Sequence, residues 1–277
     1  MTVPHFLALT WPWEPSVVLG CAVLLGGYLA AARNRTARET WCFVAGVVVL
    51  GLALDSPIDT LGDRYLFSAH MLQHLLLILV VPPLLLLGVP PAPAGSTRWQ
   101  SRVPAAARRA AGTLGRPAVA WLAGVGTMWL WHAPALYNAA LAYGIVHIAQ
   151  HLMFLATSAI FWWPILAPGG AARLALLPAI VYLLAAALAA GVLGILLTFA
   201  PAGLYPAYLH PPDPLGLGPL LRDGWGLSPE TDQQVGGLLM WIPGGLAYLC
   251  AMLGVLARWY AGAERMVEPM WRETHAG

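Results

Sequence analysis

The sequence predicts an all-α membrane protein, a seven-transmembrane helical bundle with its N-terminus outside and its C-terminus cytoplasmic. Three observations carry that expectation. The first is composition: of 277 residues, 59% are hydrophobic and only 9% charged, with a mean hydropathy of +0.70. About a quarter of the residues of a soluble domain are charged, so this chain has too few charges to cover a surface facing water. The second is the presence of seven apolar stretches, at approximately 15–32, 40–54, 66–88, 117–134, 143–166, 173–199 and 234–259, where about 20 residues suffice to cross a hydrocarbon core. The third is where the arginines fall. Twelve lie on one side: Arg33, Arg35 and Arg38; Arg98, Arg102, Arg108, Arg109 and Arg116; Arg173; Arg258, Arg265 and Arg272. Only Arg64 and Arg222 lie on the other, and the arginine-rich side is expected to be cytoplasmic.

Taken in order, the first stretch follows 14 residues without Lys or Arg. It lacks the charged n-region of a cleaved signal and reads as a retained anchor. The second is the shortest and closes on Asp55 and Asp59. The third opens His70-Met71-Leu72-Gln73-His74 and is interrupted by Pro82-Pro83, a device that removes helix hydrogen bonds and can open a cavity. Residues 89–116 are rich in Pro, Ala and Arg and are expected to lie against anionic headgroups. The fourth stretch ends Trp131-His132, and the fifth carries His147-Ile148-Ala149-Gln150-His151, so both HxxQH runs open a span. The Pro- and Gly-rich segment 200–232 is long enough to fold over the outer mouth. The seventh stretch begins Asp232-Gln233-Gln234, as a degenerate third copy of HxxQH would, and contains Pro243. One membrane domain, residues 1–277, accounts for the whole chain.

Smaller features fit this frame. Trp11, Trp13, Trp129, Trp131, Trp225 and Trp271 fall near span ends, where amphipathic rings suit the headgroup level. Gly26-Gly27, Gly236-Gly237 and Gly244-Gly245 suit close helix packing. Cys21, Cys42 and Cys250 stand alone and read as buried small residues. No CxxC or CxxCH motif points to a thiol metal chaperone or attached c-type heme. Ser56, Ser68 and Ser158 lack GxSxG surroundings, neither histidine pair has the glutamate of HExxH, and no Gly-rich phosphate loop occurs. A net charge of +2 without a basic tract gives no reason to expect nucleic acid. The chain is not expected to be an enzyme.

The histidines carry the chemistry. An HxxxH pair puts two imidazoles on one helix face, about 6 Å apart along the axis. Spans three and five run in the same direction with their pairs in the first turns, whereas span four runs oppositely and ends at His132. His70, His74, His132, His147 and His151 therefore fall at one depth, in the outer leaflet, with Met128 one turn before His132. Ionisable groups within a membrane usually face a partner or a cavity. Imidazole with thioether suits copper, while imidazole alone also suits zinc or heme iron, and bis-histidine heme b between facing helices is a feasible alternative. Asp59 and Asp232, with Gln73 and Gln150, are the candidates for orienting imidazole N–H groups. Neutral imidazole is the binding form, so affinity should weaken below about pH 6.

An ordered set of segments then resembles a known family. Ser56-Pro57-Ile58-Asp59, Phe67 to Leu76, Pro82 to Gly88, His132 to Tyr137, His147 to Pro164 and Asp232 to Trp241 together resemble the CtaG family of cytochrome c oxidase assembly factors. The resemblance implies a seven-span protein of the bacterial cytoplasmic (inner) membrane, needed to make heme–copper oxidases of the caa3 type. It implies supply or insertion of copper into the oxidase, with oxidase subunits and periplasmic copper chaperones as partners. The family's histidine pattern falls on His70, His74, His132, His147 and His151, with Asp59 and Asp232 beside it. A metal-free structural chaperone that uses these histidines as buried polar contacts remains open.

Overall fold

The computed structural model describes residues 2–32, 34–91, 112–170 and 172–274, with side chains to residue 262. Arg33, Arg98, Arg102, Arg108 and Arg109, most of the predicted 89–116 segment, and the side chains of Arg265, Arg272 and Trp271 lie outside these residues. The described residues form helices and no strands: α1 (Val3–Thr10), α2 (Pro15–Ala31), α3 (Ala37–Leu54), α4 (Pro57–Arg64), α5 (Phe67–Leu75), α6 (Val81–Gly88), α7 (Pro117–Trp131), α8 (Pro134–Ala142), α9 (Gly144–Leu166), α10 (Leu176–Phe199) and α11 (Pro229–Thr274). A helix lies over each of the seven predicted stretches. Five helical segments are long and apolar enough to cross a membrane, or up to six if α1 and α2, bent by 86°, make one broken span. The fourth stretch yields only 15 helical residues in α7, because the chain turns at His132-Ala133 ahead of Pro134.

Helices α5 and α6 form the middle of the bundle. They pack against α3 and α4 on one side, α9 on another and α11 on a third, while α7 lies on α9 and α10 pairs along α11. The α5–α6 helix passes through a π turn, Leu76–Val80, immediately before Pro82-Pro83. Pro82 has no N–H to give the carbonyl one turn back, which is Ile78. The indole Nε1 of Trp162 in α9 donates to that Ile78 oxygen at 3.0 Å, so the carbonyl freed by proline is satisfied from the neighbouring helix.

The N-terminus of α5 is also served from a distance. Its own flank offers no capping side chain. Instead the Asp232 carboxylate, from the first turn of α11, accepts from the backbone N–H of Phe67 (2.7 Å) and Ser68 (3.0 Å) and from the Ser68 hydroxyl (2.5 Å). Helix starts leave N–H groups without intrahelical partners, and a carboxylate there is favoured by the helix dipole as well.

Of the paired glycines, Gly236 and Gly237 do permit close packing. A Cβ on Gly236 would collide with the Phe67 ring and one on Gly237 with Thr198. Gly26, Gly27 and Gly245 face open space and Gly244 has only ordinary contacts, so the packing expectation fails for those pairs within this chain. Trp131 is buried in the core rather than placed as a rim anchor. Cys21 and Cys42 are half-buried and Cys250 is exposed, which corrects the reading of all three as buried; a membrane-facing helix need not hide an apolar thiol.

Candidate metal site

Four elements meet at one end of the bundle. Helix α5 brings His70 and His74, α9 brings His147 and His151, the end of α7 brings His132, and α4 brings Asp63. The 3.6-residue period places each HxxxH pair on one face; ring centroids are 4.3 Å apart for His70 and His74 and 4.1 Å for His147 and His151. The two faces look at each other, with His70 and His147 5.4 Å apart, and His74 reaches His132 at 5.4 Å. All five predicted histidines therefore form one cluster, and all but His147 are buried.

One candidate nitrogen from each of His70, His147 and His151 lies within 4.8 Å of the others. Imidazole nitrogens sharing a tetrahedral ion at ~2.0–2.1 Å stand about 3.4 Å apart, so small side-chain rotations close the triad on a metal. His132 is held differently: its Nδ1 lies 2.6 Å from the Met128 carbonyl oxygen, which fixes Nδ1 as the protonated nitrogen and leaves Nε2 as a lone-pair ligand.

The donor set has the character of a ligand site. Among the described residues, seven buried imidazole nitrogens meet no well-aligned hydrogen-bond partner: both of His70, both of His74, and Nε2 of His132, His147 and His151. Each buried polar atom left unpaired costs about 1–3 kcal/mol, and a cluster built only for packing would pair them. Asp63, absent from the sequence-based candidates, joins them. Its Oδ1 lies 3.3 Å from His147 Nε2 and 3.9 Å from His70 Nδ1, yet neither contact is aligned as a hydrogen bond. Asp63 sits on the same face of α4 as Asp59, four residues on, and that spacing was the available signal. Its approach depends on Gly62, where a Cβ would stand 2.9 Å from the backbone N and Cα of His70.

The other candidates sit around this cluster. The Gln73 amide donates to the Ala53 carbonyl (2.8 Å) and to Asp59 (2.7 Å), tying α5 to α3 and α4. Gln150 is fully buried, and its amide meets no well-aligned partner among the described residues. Met128 lines a cavity of about 10 Å³ together with His74. Asp232 caps α5, and among the described hydrogen bonds neither Asp59 nor Asp232 reaches an imidazole; each positions the helix that carries the rings.

The 200–228 segment covers the cluster, as its length suggested. The Tyr205 hydroxyl donates to the His132 carbonyl (2.7 Å) and Tyr208 to the Gly62 carbonyl (2.7 Å). Tyr137 stacks against Tyr205 at 3.9 Å and faces His70 at 5.1 Å. The Arg222 guanidinium donates to the carbonyls of Leu227 and Tyr208. Beside the cluster, His132 also lines a cleft of about 560 Å³ between α7 and α10, walled by Trp129, Leu193, Leu197 and Phe199.

The chain is 26% identical, over an alignment of 282 residues, to the "Uncharacterized protein ML1998" of Mycobacterium leprae (strain TN); the match takes in 92% of this chain and 40% of that relative. The chain thus spans about two fifths of the relative's length. No solved structure matches. Residues 23–262 match the family described as cytochrome c oxidase caa3 assembly factor, a family that points to a non-catalytic role. That match covers most of the chain and all of the histidine cluster, and the protein belongs to the caa3-type cytochrome c oxidase assembly factor family.

Proposed function

We propose that the chain binds copper at the histidine end and delivers it to a caa3-type oxidase subunit docked alongside in the bacterial cytoplasmic membrane. The observation that carries this reading is the set of seven buried imidazole nitrogens without a well-aligned partner among the described residues in a member of an oxidase assembly family. The copper ion is cargo. His70, His147 and His151 are its first holders, Asp63 adds a charged oxygen at the partly exposed margin, and His74 and His132 form the deeper pair. His132 lines the lateral cleft between α7 and α10, and we place the hand-over there. In this reading seven spans cross the membrane, the N-terminus is outside, and the histidine end faces the periplasm, where copper chaperones load it. The reaction is transfer between ligand sets, with no turnover chemistry.

The space between His74 and Met128 favours an ion over a macrocycle. The cavity that His74 shares with Met128 is about 10 Å³, no more than one small species needs. The test is metal analysis of detergent-purified protein alongside His70→Ala and His147→Ala, with an optical spectrum of each. Wild type should hold about one copper per chain, and each variant at least tenfold less, as expected from losing one of few ligands. Equal, near-zero copper in all three sinks the reading. A reduced-state heme band lost in His74→Ala or His151→Ala would replace it with a b-type heme protein.

A further inference from the structure

A large cavity lies at the opposite end of the bundle from the histidines. It is a cleft of about 930 Å³ between α6, α9 and α11, with the start of α3 at its rim. Leu79, Trp162 and Ala247 line its apolar depth, and Arg38, Arg173 and Arg258 its rim. Two of these guanidiniums are held in place. Arg173 Nε donates to the Ala167 carbonyl at 2.8 Å, and Arg258 Nη1 to the Ile165 carbonyl at 3.1 Å. The acceptors are two residues apart at the C-terminal end of α9, so the two cations are anchored side by side.

Helix capping accounts for those bonds but not for the rest of each side chain. A guanidinium has five N–H donors, and each arginine uses one here. Among the described residues no arginine has a carboxylate oxygen within 4.0 Å. Glu39, the one acid on the rim, is committed to the capping box of α3, accepting from the Thr36 N–H at 2.7 Å and its hydroxyl at 3.0 Å. Fixed guanidiniums with no described carboxylate beside them, above an apolar cleft, match a phosphate carried on hydrocarbon chains.

We propose that this cleft is a binding site for an anionic glycerophospholipid. Its phosphate engages Arg173 and Arg258, with Arg38 at the rim, and its acyl chains run along Trp162 toward Leu79. The volume is in the upper range of small-molecule sites, about 300–1,000 Å³. Among the described residues no His, Cys or Met lines the cleft, so none of them offers a porphyrin an axial ligand. A soluble anion would leave the apolar walls bare. The rim lies at helix ends, the depth of a headgroup, on the side that the arginine count assigns to the cytoplasm.

The experiment is native mass spectrometry of the metal-free full chain, released from mixed vesicles of phosphatidylglycerol and phosphatidylcholine. Wild type should retain the anionic lipid in preference to the zwitterionic one. Losing a basic side chain near a membrane surface reduces attraction about fivefold, so Arg173→Gln with Arg258→Gln should lower the preference by roughly 25-fold. Arg173→Lys with Arg258→Lys keeps the charge and should keep most of the preference, and Arg222→Gln at the histidine end should leave it unchanged. Equal retention of both lipids by wild type, or an undiminished preference in the double Gln variant, overturns the proposal. So does a variant without residues 92–111 that retains more of both lipids alike, which would make that segment the occupant. Metal-free protein is used throughout, so failure here leaves the copper reading untouched.

Discussion

The two ends of the bundle solve opposite problems with the same helices. At one end α5 and α9 bring imidazoles together under a folded cover, and seven buried nitrogens there, that of His132 included, meet no well-aligned partner among the described residues. At the other, α6 and the end of α9 stand apart around an open cleft with cations at its lip. The π turn at Leu76–Val80 and Pro82-Pro83 lie between the two, in the central helix that both ends share. A buried polar cluster persists only if something repays its desolvation, whereas a cation at a rim keeps access to water and headgroups. The contrast suggests that the histidine end is built for one small species and the arginine end for a large amphiphile.

The sharpest way to break the contrast is to damage one end alone. Asp232 supports the histidine end through three hydrogen bonds to the start of α5. Asp232→Ala leaves those donors buried without acceptors and should cost about 3 kcal/mol. The expected outcome is a lower thermal midpoint in detergent together with lower copper content, because His70 sits one turn into the frayed helix. Lipid retention at the arginine end should not change. An unchanged midpoint and metal content would show that the cap does not hold the site.

Trp162 belongs to both ends, since it lines the cleft and bonds Ile78 beneath His74. Trp162→Phe keeps an aromatic wall but strands the Ile78 carbonyl, at about 1–2 kcal/mol. Stability should fall by that amount, with a smaller loss of copper than Asp232→Ala causes. Equal loss of copper in the two variants would mean that the π turn, rather than the cap, positions the rings.

How much of this was legible follows from range. The HxxxH pairs carry their own geometry, and alternating helix direction brought His132 to the same depth, so the five-histidine cluster was readable from local period. Asp63 was harder. Its place depends on how closely α4 approaches α5, which Gly62 allows and no local pattern reports. Asp232 was singled out, but its partners are backbone N–H groups 165 and 164 residues away, which composition cannot reveal. The bond from Trp162 to Ile78 spans 84 residues and was hidden likewise, though Pro82 announced that some donor was needed. The arginines were counted for orientation, and that count hides which of them stand together. Seven apolar stretches were read, while helix length alone supports five or six crossings, because α7 stops where the chain turns at His132.

The smallest expected effect concerns the cover that keeps the histidine end closed. Asp213 accepts from the backbone N–H of Leu217 (2.7 Å) and Gly218 (2.8 Å), and Leu217 is buried beneath against Tyr65 and Leu221. The donated Gly218 and Leu217 N–H groups hold its carboxyl below the usual carboxylate range. A carboxyl whose pKa is depressed in the folded state contributes above its unfolded value, about 3.9, and the contribution is lost as pH falls through the lower folded value. The cover should therefore be closed at neutral pH and loosen only in strong acid. Amide exchange at Leu217 and Gly218 would read this directly. Asp213→Asn should exchange faster than wild type at neutral pH and lose the acid-dependent step. If wild type and variant exchange alike at every pH, the cover is held by Tyr205, Tyr208 and Arg222, and the closed state of the histidine end does not depend on this turn.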